Sequence, residues 1–182
     1  MSIEFKAWEK IPRGKNEKFV ITEKMDGTNA CVIIQDDKLV GCQSKKRLIT
    51  VNDDNYGFAR WCEENKEDLE QLGDGYHFGE WVGLGIEKNP HKFDRKRFFL
   101  FNTGRWSNGS PSLPTCCDVV PVLFYGDATV KNIQKTMELL KTNSENNYIS
   151  EGIICYYLFA RRYEKYTFKY PDGKWLKPEQ QS

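Results

Sequence analysis

Residues 22–29 read TEKMDGTN, and they separate two apolar runs, FVI at 19–21 and ACVII at 30–34. Aromatic and β-branched residues on both sides of a polar, glycine-bearing break predict two strands joined by a tight connection. Lys24 then stands at a strand end, with Glu23, Asp26, Gly27 and Asn29 beside it. The strand NACVIIQ at 29–35 is expected to turn at the Asp36–Asp37 corner and pair with KLVGCQS at 38–44, closing a hairpin. An isolated lysine is thus placed at the lip of an antiparallel meander.

Working outward, apolar positions Phe58, Trp61, Cys62, Leu69 and Leu72 recur at helical spacing, and Gly73 is a stop signal, so one helix is predicted over 55–72. The runs YHFGEWVG at 76–83, RFFLFNT at 97–103 and VVPVLFYG at 119–126 have strand character, and Pro121 assigns the last to an edge or a bulge. The segment 103–117, rich in Gly, Ser and Pro, reads as a surface loop. A second helix is predicted over 130–140, with Ile133, Met137 and Leu140 on one stripe. EGIICYYLF at 151–159 and KYTFKY at 165–170 form a final hairpin. The expected class is α+β, with largely antiparallel sheets and flanking helices, in a single domain over residues 1–182.

Composition excludes more than it selects. With 39% hydrophobic and 29% charged residues among 182, the chain can bury one core, and no apolar run approaches the roughly 20 residues needed to cross a bilayer. The expected location is cytoplasmic. The six cysteines, at 31, 42, 62, 116, 117 and 155, form no CxxC pair and have no histidine cluster beside them, so they read as small buried hydrophobes rather than zinc ligands. His77 reads as a satisfied, half-buried residue, and neither it nor His91 is needed as a base. The net charge is only +1, but basic runs at 44–47, 91–97 and 161–177 are separated from the acidic EENKEDLE at 63–70. Three separated basic runs can converge on phosphates.

Alone, a KxDG word at a strand end is most often a solvated turn. Its company changes the reading. EKMDGTN is followed in order by SKKR, FGEW, FFLFNT, EGIICYY and YTFKY, each at the edge of an apolar run. In these words the chain resembles the covalent nucleotidyltransferases, the superfamily of ATP-dependent polynucleotide ligases and messenger-RNA capping enzymes. The resemblance extends from Lys24 to about Lys169. It implies the ligase adenylation fold and assigns Lys24 as the nucleophile of motif I, with Arg47 in the word that follows. Glu80 falls in motif III, Phe101 in motif IIIa, Glu151 in motif IV and Lys169 in motif V. Thr28 and Asn29 after KxDG look like the word of RNA ligases, whereas DNA ligases and capping enzymes typically carry arginine there. SKKR and FGEWVGLGI are similar to the phage RNA-repair ligases.

The implied chemistry is attack of the Lys24 amine on the α-phosphorus of ATP, with Mg²⁺ or Mn²⁺. AMP then passes to a 5′-phosphate, which is sealed to a 3′-hydroxyl. A protonated amine has no lone pair, so Lys169, Arg47 and a metal are expected to help Lys24 lose its proton, while Asp26 should not face the amine. Lys169 is the expected α-phosphate contact. Glu80 and Glu151 are the expected metal ligands and ribose partners, and Phe101 the adenine stacker. Glu23 is expected at the adenine edge, Asn29 at the nucleotide or phosphate, and Asp26 at the turn, nucleotide or metal. Gly27, Gly79 and Gly152 suit a close backbone approach. Tyr156, Tyr157, Tyr163, Tyr166 and Trp175, interleaved with Arg161, Arg162, Lys165 and Lys174, suit either packing or contact with a single strand.

Three departures from the family pattern stand out. Thr167 occupies the position where motif V usually carries a first lysine, and Cys155 and Tyr156 stand where motif IV often ends in a basic residue. The stretch YPDGKWLKPEQQS after Lys169 is too short for an accessory domain of about 50 residues. The RNA-ligase-like words imply an RNA-end substrate, and the missing accessory domain leaves three expectations: a minimal ligase, a partner protein that supplies the domain, or a chain that performs only part of the pathway. The rival readings are a DNA ligase or capping-type enzyme, and a nucleic-acid or nucleotide binding module that does not catalyse.

Overall fold

The computed structural model describes residues 16–142 and 150–169. Two sheets divide the chain. The smaller is built from β1 (Lys18–Lys24), β8 (Val122–Asp127), β9 (Gly152–Tyr157) and β10 (Arg162–Thr167), in the order β10-β9-β1-β8, all antiparallel. The larger has the order β4-β3-β2-β5-β6-β7, from β2 (Thr28–Gln35), β3 (Lys38–Ser44), β4 (Leu48–Ile49), β5 (Gly75–Val82), β6 (Arg97–Leu100) and β7 (Cys117–Val119). Among the described strands only the β6–β7 pair is parallel. This is the expected α+β, largely antiparallel arrangement.

Strand alternation decides which faces are covered. In the large sheet Ala30, Val32, Ile34, Trp81, Phe98 and Leu100 share a core with Phe58, Cys62, Leu69 and Leu72 from helices α1 (Phe58–Glu64) and α2 (Lys66–Glu70). In the small sheet Phe19, Ile21, Ile153 and Cys155 pack on Ile133 and Leu140 of α3 (Val130–Thr142), whose Met137 also joins, so the predicted stripe is the buried one. Among the described helices, α1 and α2 cover this one face of the large sheet and α3 covers the small sheet, and the site is built on the large sheet's opposite face.

The predicted hairpin corner forms at Asp36 and Asp37, both at positive φ (52° and 56°). The single helix predicted over 55–72 is instead two. Asn65 leaves helical geometry (φ −114°, ψ 20°), and its side-chain amide donates to the Trp61 carbonyl at 2.8 Å beside its own backbone amide at 3.1 Å, so both close the last turn of α1. The start of α1 is held by Asp54, whose carboxylate accepts from the Ala59 and Arg60 amides at 2.7 and 3.1 Å. Pro121 lies between β7 and β8, at the crossing from one sheet to the other. Its carbonyl accepts the Glu23 amide at 2.9 Å. The run 103–117 has no regular elements before β7, yet it is pinned: Trp106 is buried, Asn108 bridges both polar groups of the Val119 backbone, and Asp68 accepts from Thr115 and Cys116.

The described cysteines are all unpaired, and most are buried. His77 is buried and bonded through Nε2 to the Gly73 carbonyl at 2.7 Å, a structural role as expected. Tyr157 and Tyr166 are packing residues that share Glu164, whereas Tyr163 is exposed and stacks on Tyr156. Lys174 and Trp175 lie outside the described residues. Among the described residues no helix is long and apolar enough to cross a membrane.

Candidate active site

β1 ends at Lys24, and cross-strand pairing sets Lys24 opposite Gly152 of β9, while Thr167 of β10 pairs with the same glycine. This register brings Glu151 to the lysine, and the Lys24 Nζ donates to Glu151 Oε2. The lysine side chain is only 21% exposed. Gly152 allows the approach: it has φ +146°, and a Cβ there would lie 2.0 Å from the Tyr166 carbonyl oxygen, so no other residue fits. The Phe168 amide donates to the Glu151 carbonyl at 3.1 Å, and exposed Lys169 follows directly at the end of β10.

The chain then crosses to the large sheet through Met25, Asp26 and Gly27. Gly27 is packed against the end of β5, where a Cβ would meet the Trp81 carbonyl oxygen at 2.4 Å. Gly79 is similarly crowded by the Phe99 carbonyl, so all three glycines of the motif words are sites of close backbone contact. Asn29 pairs with Glu80, and Glu80 with Phe99, across three adjacent strands. Residues directly opposite in antiparallel strands project from the same face, so these three side chains share the face of the large sheet opposite α1 and α2. Asn29 Nδ2 donates to Glu80 Oε2 at 3.2 Å.

Electrostatics binds the two halves of the site. Burial pushes the Glu80 carboxyl up to about 7; the negative charges of Glu151 and Asp26 act in the same direction, and Lys24 and Lys45 oppose them. Asp26 is raised as well, first by burial and then by Glu151 and Glu87, against Lys24 and Lys88. Three carboxyls from separate segments therefore repel one another around one amine. Lys24 forms its ion pair with Glu151, and its charge also acts on Asp26.

Behind this group an aromatic wall closes the seam between the sheets. Phe93 stacks on Phe99 and on His91, with centroids 5.7 and 4.9 Å apart, and the Arg97 guanidinium lies 5.1 Å from Phe93 and 5.2 Å from Phe99. Glu23 is buried, with its Oε1 3.6 Å from His91 Nε2. Burial holds His91 below the ordinary imidazole range, against the pull of Glu23 and Asp26.

The sequence-predicted residues Lys24, Asp26, Asn29, Glu80 and Glu151 are thus brought together. Glu23 lies at the adjoining wall. Phe101 is half-exposed just beyond β6, its amide bonded to the Phe78 carbonyl at 3.0 Å, on the same side of the sheet. Arg47 is not in the cluster. It sits in the β3–β4 turn, bonded to the Asp53 carboxylate at 2.6 Å and to the carbonyls of Leu48, Asp53 and Asp54. The cation of SKKR that does reach Glu80 electrostatically is Lys45. Lys45 and His91 were both visible in basic runs, but only the pairing of β2 with β3 and the loop before β6 bring them here.

Among the described residues no three His, Cys, Asp or Glu side chains are grouped to hold a metal ion by themselves. Two mutually repelling carboxyls fit one that draws its other oxygens from phosphate and water.

A family model described as RNA ligase matches residues 17–171. The chain belongs to the RNA ligase family. The fold agrees with solved structures of an RNA ligase from Naegleria gruberi. One, with ATP and Mn, superposes with a TM-score of 0.59 at 21% identity, over 87% of this chain and 52% of that one. An apo form gives 0.58 at 21% identity, over 84% and 50%. The chain spans about half the length of these ligases. A search of curated proteins gives no match.

Proposed function

We propose that this family member is an ATP-dependent RNA ligase whose Lys24 forms a covalent lysyl-AMP intermediate. The observation that carries the reading is the convergence on Lys24 of Glu151, Asp26 and Glu80, which the chain contributes from separate elements in the order of the family's motif words. In the first step the Lys24 nitrogen forms a bond to the α-phosphorus, the bond to the bridging oxygen breaks, and pyrophosphate leaves with the electron pair. AMP next passes to a 5′-phosphate, freeing the lysine, and attack by a 3′-hydroxyl seals the strand and releases AMP.

The residues divide this work by position. Glu151 holds the Lys24 amine at the mouth of the seam, and Lys169, one residue past its backbone contact, is the cation available to the α-phosphate. Asn29 fixes the carboxyl of Glu80 by hydrogen bonding. Phe101 offers an open ring for the adenine, and buried Glu23 an acceptor at its edge. Asp26, beside the lysine in the connecting turn, adds negative charge for a metal or orients the nucleotide. Arg47 would have to leave Asp53 to serve the nucleotide. A divalent ion, Mg²⁺ or Mn²⁺, supplies neutralisation of phosphate charge when held by Glu80 and Glu151 with water. The similar ligase structures that hold ATP and Mn support this choice of nucleotide and ion class.

One observation favours a second reading. Thr167, not a lysine, faces Gly152 beside the nucleophile, which suits a module that binds nucleotide or nucleic acid without transferring AMP. Incubation with α-labelled ATP and Mg²⁺ followed by a denaturing gel separates the two. Label retained on the wild type and lost in Lys24→Ala supports the ligase, and no label with ATP or GTP overturns it. Offering nicked RNA and DNA duplexes to the labelled protein tests the acceptor: transfer to RNA is expected, and preferential transfer to DNA would favour a DNA ligase.

A further inference from the structure

The face of the large sheet that carries Asn29, Glu80 and Phe99 continues away from the lysine. Its next row, fixed by strand register, is Gln43, Cys31 and Phe78, with Phe101 beside Phe78; beyond it come Gly41, Ile33 and Tyr76. Tyr76 and Phe78 are 61% and 52% exposed. Their rings are stacked, with centroids 6.2 Å apart and planes 19° from parallel. Gly41 leaves its part of the face open, since a Cβ there would meet nothing within 4 Å. Between Phe78 and the end of β3 lies a recess of about 270 Å³, lined also by Asn29, Gln43, Ser44 and Lys45.

Two large exposed aromatics stacked side by side on a sheet face form an apolar patch suited to a partner of matching chemistry. Here the aromatic row begins two residues from Glu80, and a lysine flanks it whose charge is felt at Glu80. A flat apolar surface next to a cation fits a base on its π-face and a phosphate on its charge. We propose that Tyr76 and Phe78 are a stacking platform for the unpaired bases of a single-stranded polynucleotide end, with Lys45 taking a backbone phosphate. This deepens the ligase reading and rests on it, because it assigns the polynucleotide's path into the Lys24 site. Tyr76 lies outside the group around Lys24, so the platform and the adenylation chemistry are separable.

The test is Tyr76→Ala, with Tyr76→Trp as the conservative variant, in the full chain. Each is measured for label on Lys24 from α-labelled ATP and for binding of a fluorescent 5′-phosphorylated single-stranded RNA by anisotropy. Loss of one stacking contact is expected to weaken RNA binding about tenfold in Tyr76→Ala, with labelling within about twofold of wild type and binding restored in Tyr76→Trp. RNA affinity unchanged in Tyr76→Ala overturns the platform. So does unchanged RNA affinity with an altered sedimentation coefficient, which would assign the face to a second copy or another protein. A wild type that takes no label while still losing RNA affinity in Tyr76→Ala refutes the ligase chemistry and leaves the binding surface standing, so the two failures are distinguishable.

Discussion

Glu80 is the residue where the proposed function and stability are set against each other. Its carboxyl, ordinarily at 4.5, is held near 7 in the folded chain, so between those values the folded state binds the proton that the unfolded state releases. Stability therefore falls as pH rises through that window and does not recover above it. The magnitude is on the order of 3 kcal/mol if the whole shift is expressed. Glu80→Gln keeps an acceptor for Asn29 and removes the charge. It should be more stable than wild type above pH 7 and converge with it below pH 4.5 in urea titrations, while self-labelling with ATP falls by at least about tenfold. Asn29→Ala should act more mildly on stability, since its partner is left with only a share of its hydrogen bonding, and should show mainly as reduced labelling.

At the scale of elements, the site depends on register. Gly152 fixes where β9 meets both β1 and β10, and Gly152→Ala places a Cβ against the Tyr166 carbonyl at a backbone angle that side chains avoid. A loss of at least about 2 kcal/mol is expected by chemical denaturation, together with loss of labelling as Glu151 moves from Lys24. Most of these elements could be read from the chain because their signals are local. Alternating runs bounded by turn residues predicted the strands that carry Lys24 and Glu80 and the one that Glu151 immediately precedes, and the apolar stripe of α3 appeared where its spacing placed it. What could not be read was nonlocal or competed within the chain. Asn65 is unremarkable in a helical pattern until its side chain takes the Trp61 carbonyl. Trp106 looked like part of a polar loop because its burial depends on a core assembled from distant strands and helices. His91 meets Glu23 only because a loop folds back over the end of β1.

For the molecule as a whole, the decisive region is the joint between the sheets. Met25, Val82, Phe99 and Val120 are buried there, with Phe93 packed against them, and each comes from a different segment. Phe99→Ala should cost about 3 kcal/mol or more by opening a cavity in this small cluster. Because Phe99 pairs with Glu80 across adjacent strands and packs with Met25, the residue after Lys24, labelling should fall even at temperatures where circular dichroism reports a fully folded chain. Unimpaired labelling in that variant would mean that the two sheets keep their alignment without the cluster. The position of β1 has a further consequence. It is an interior strand, hydrogen-bonded to β8 on one side and β9 on the other, so the backbone under Lys24 is clamped along its length. If Lys24 is the nucleophile of the proposed cycle, it is an anvil: only its side-chain torsions are free, and the travelling would be done by phosphate groups and strand ends arriving in turn at a stationary nitrogen.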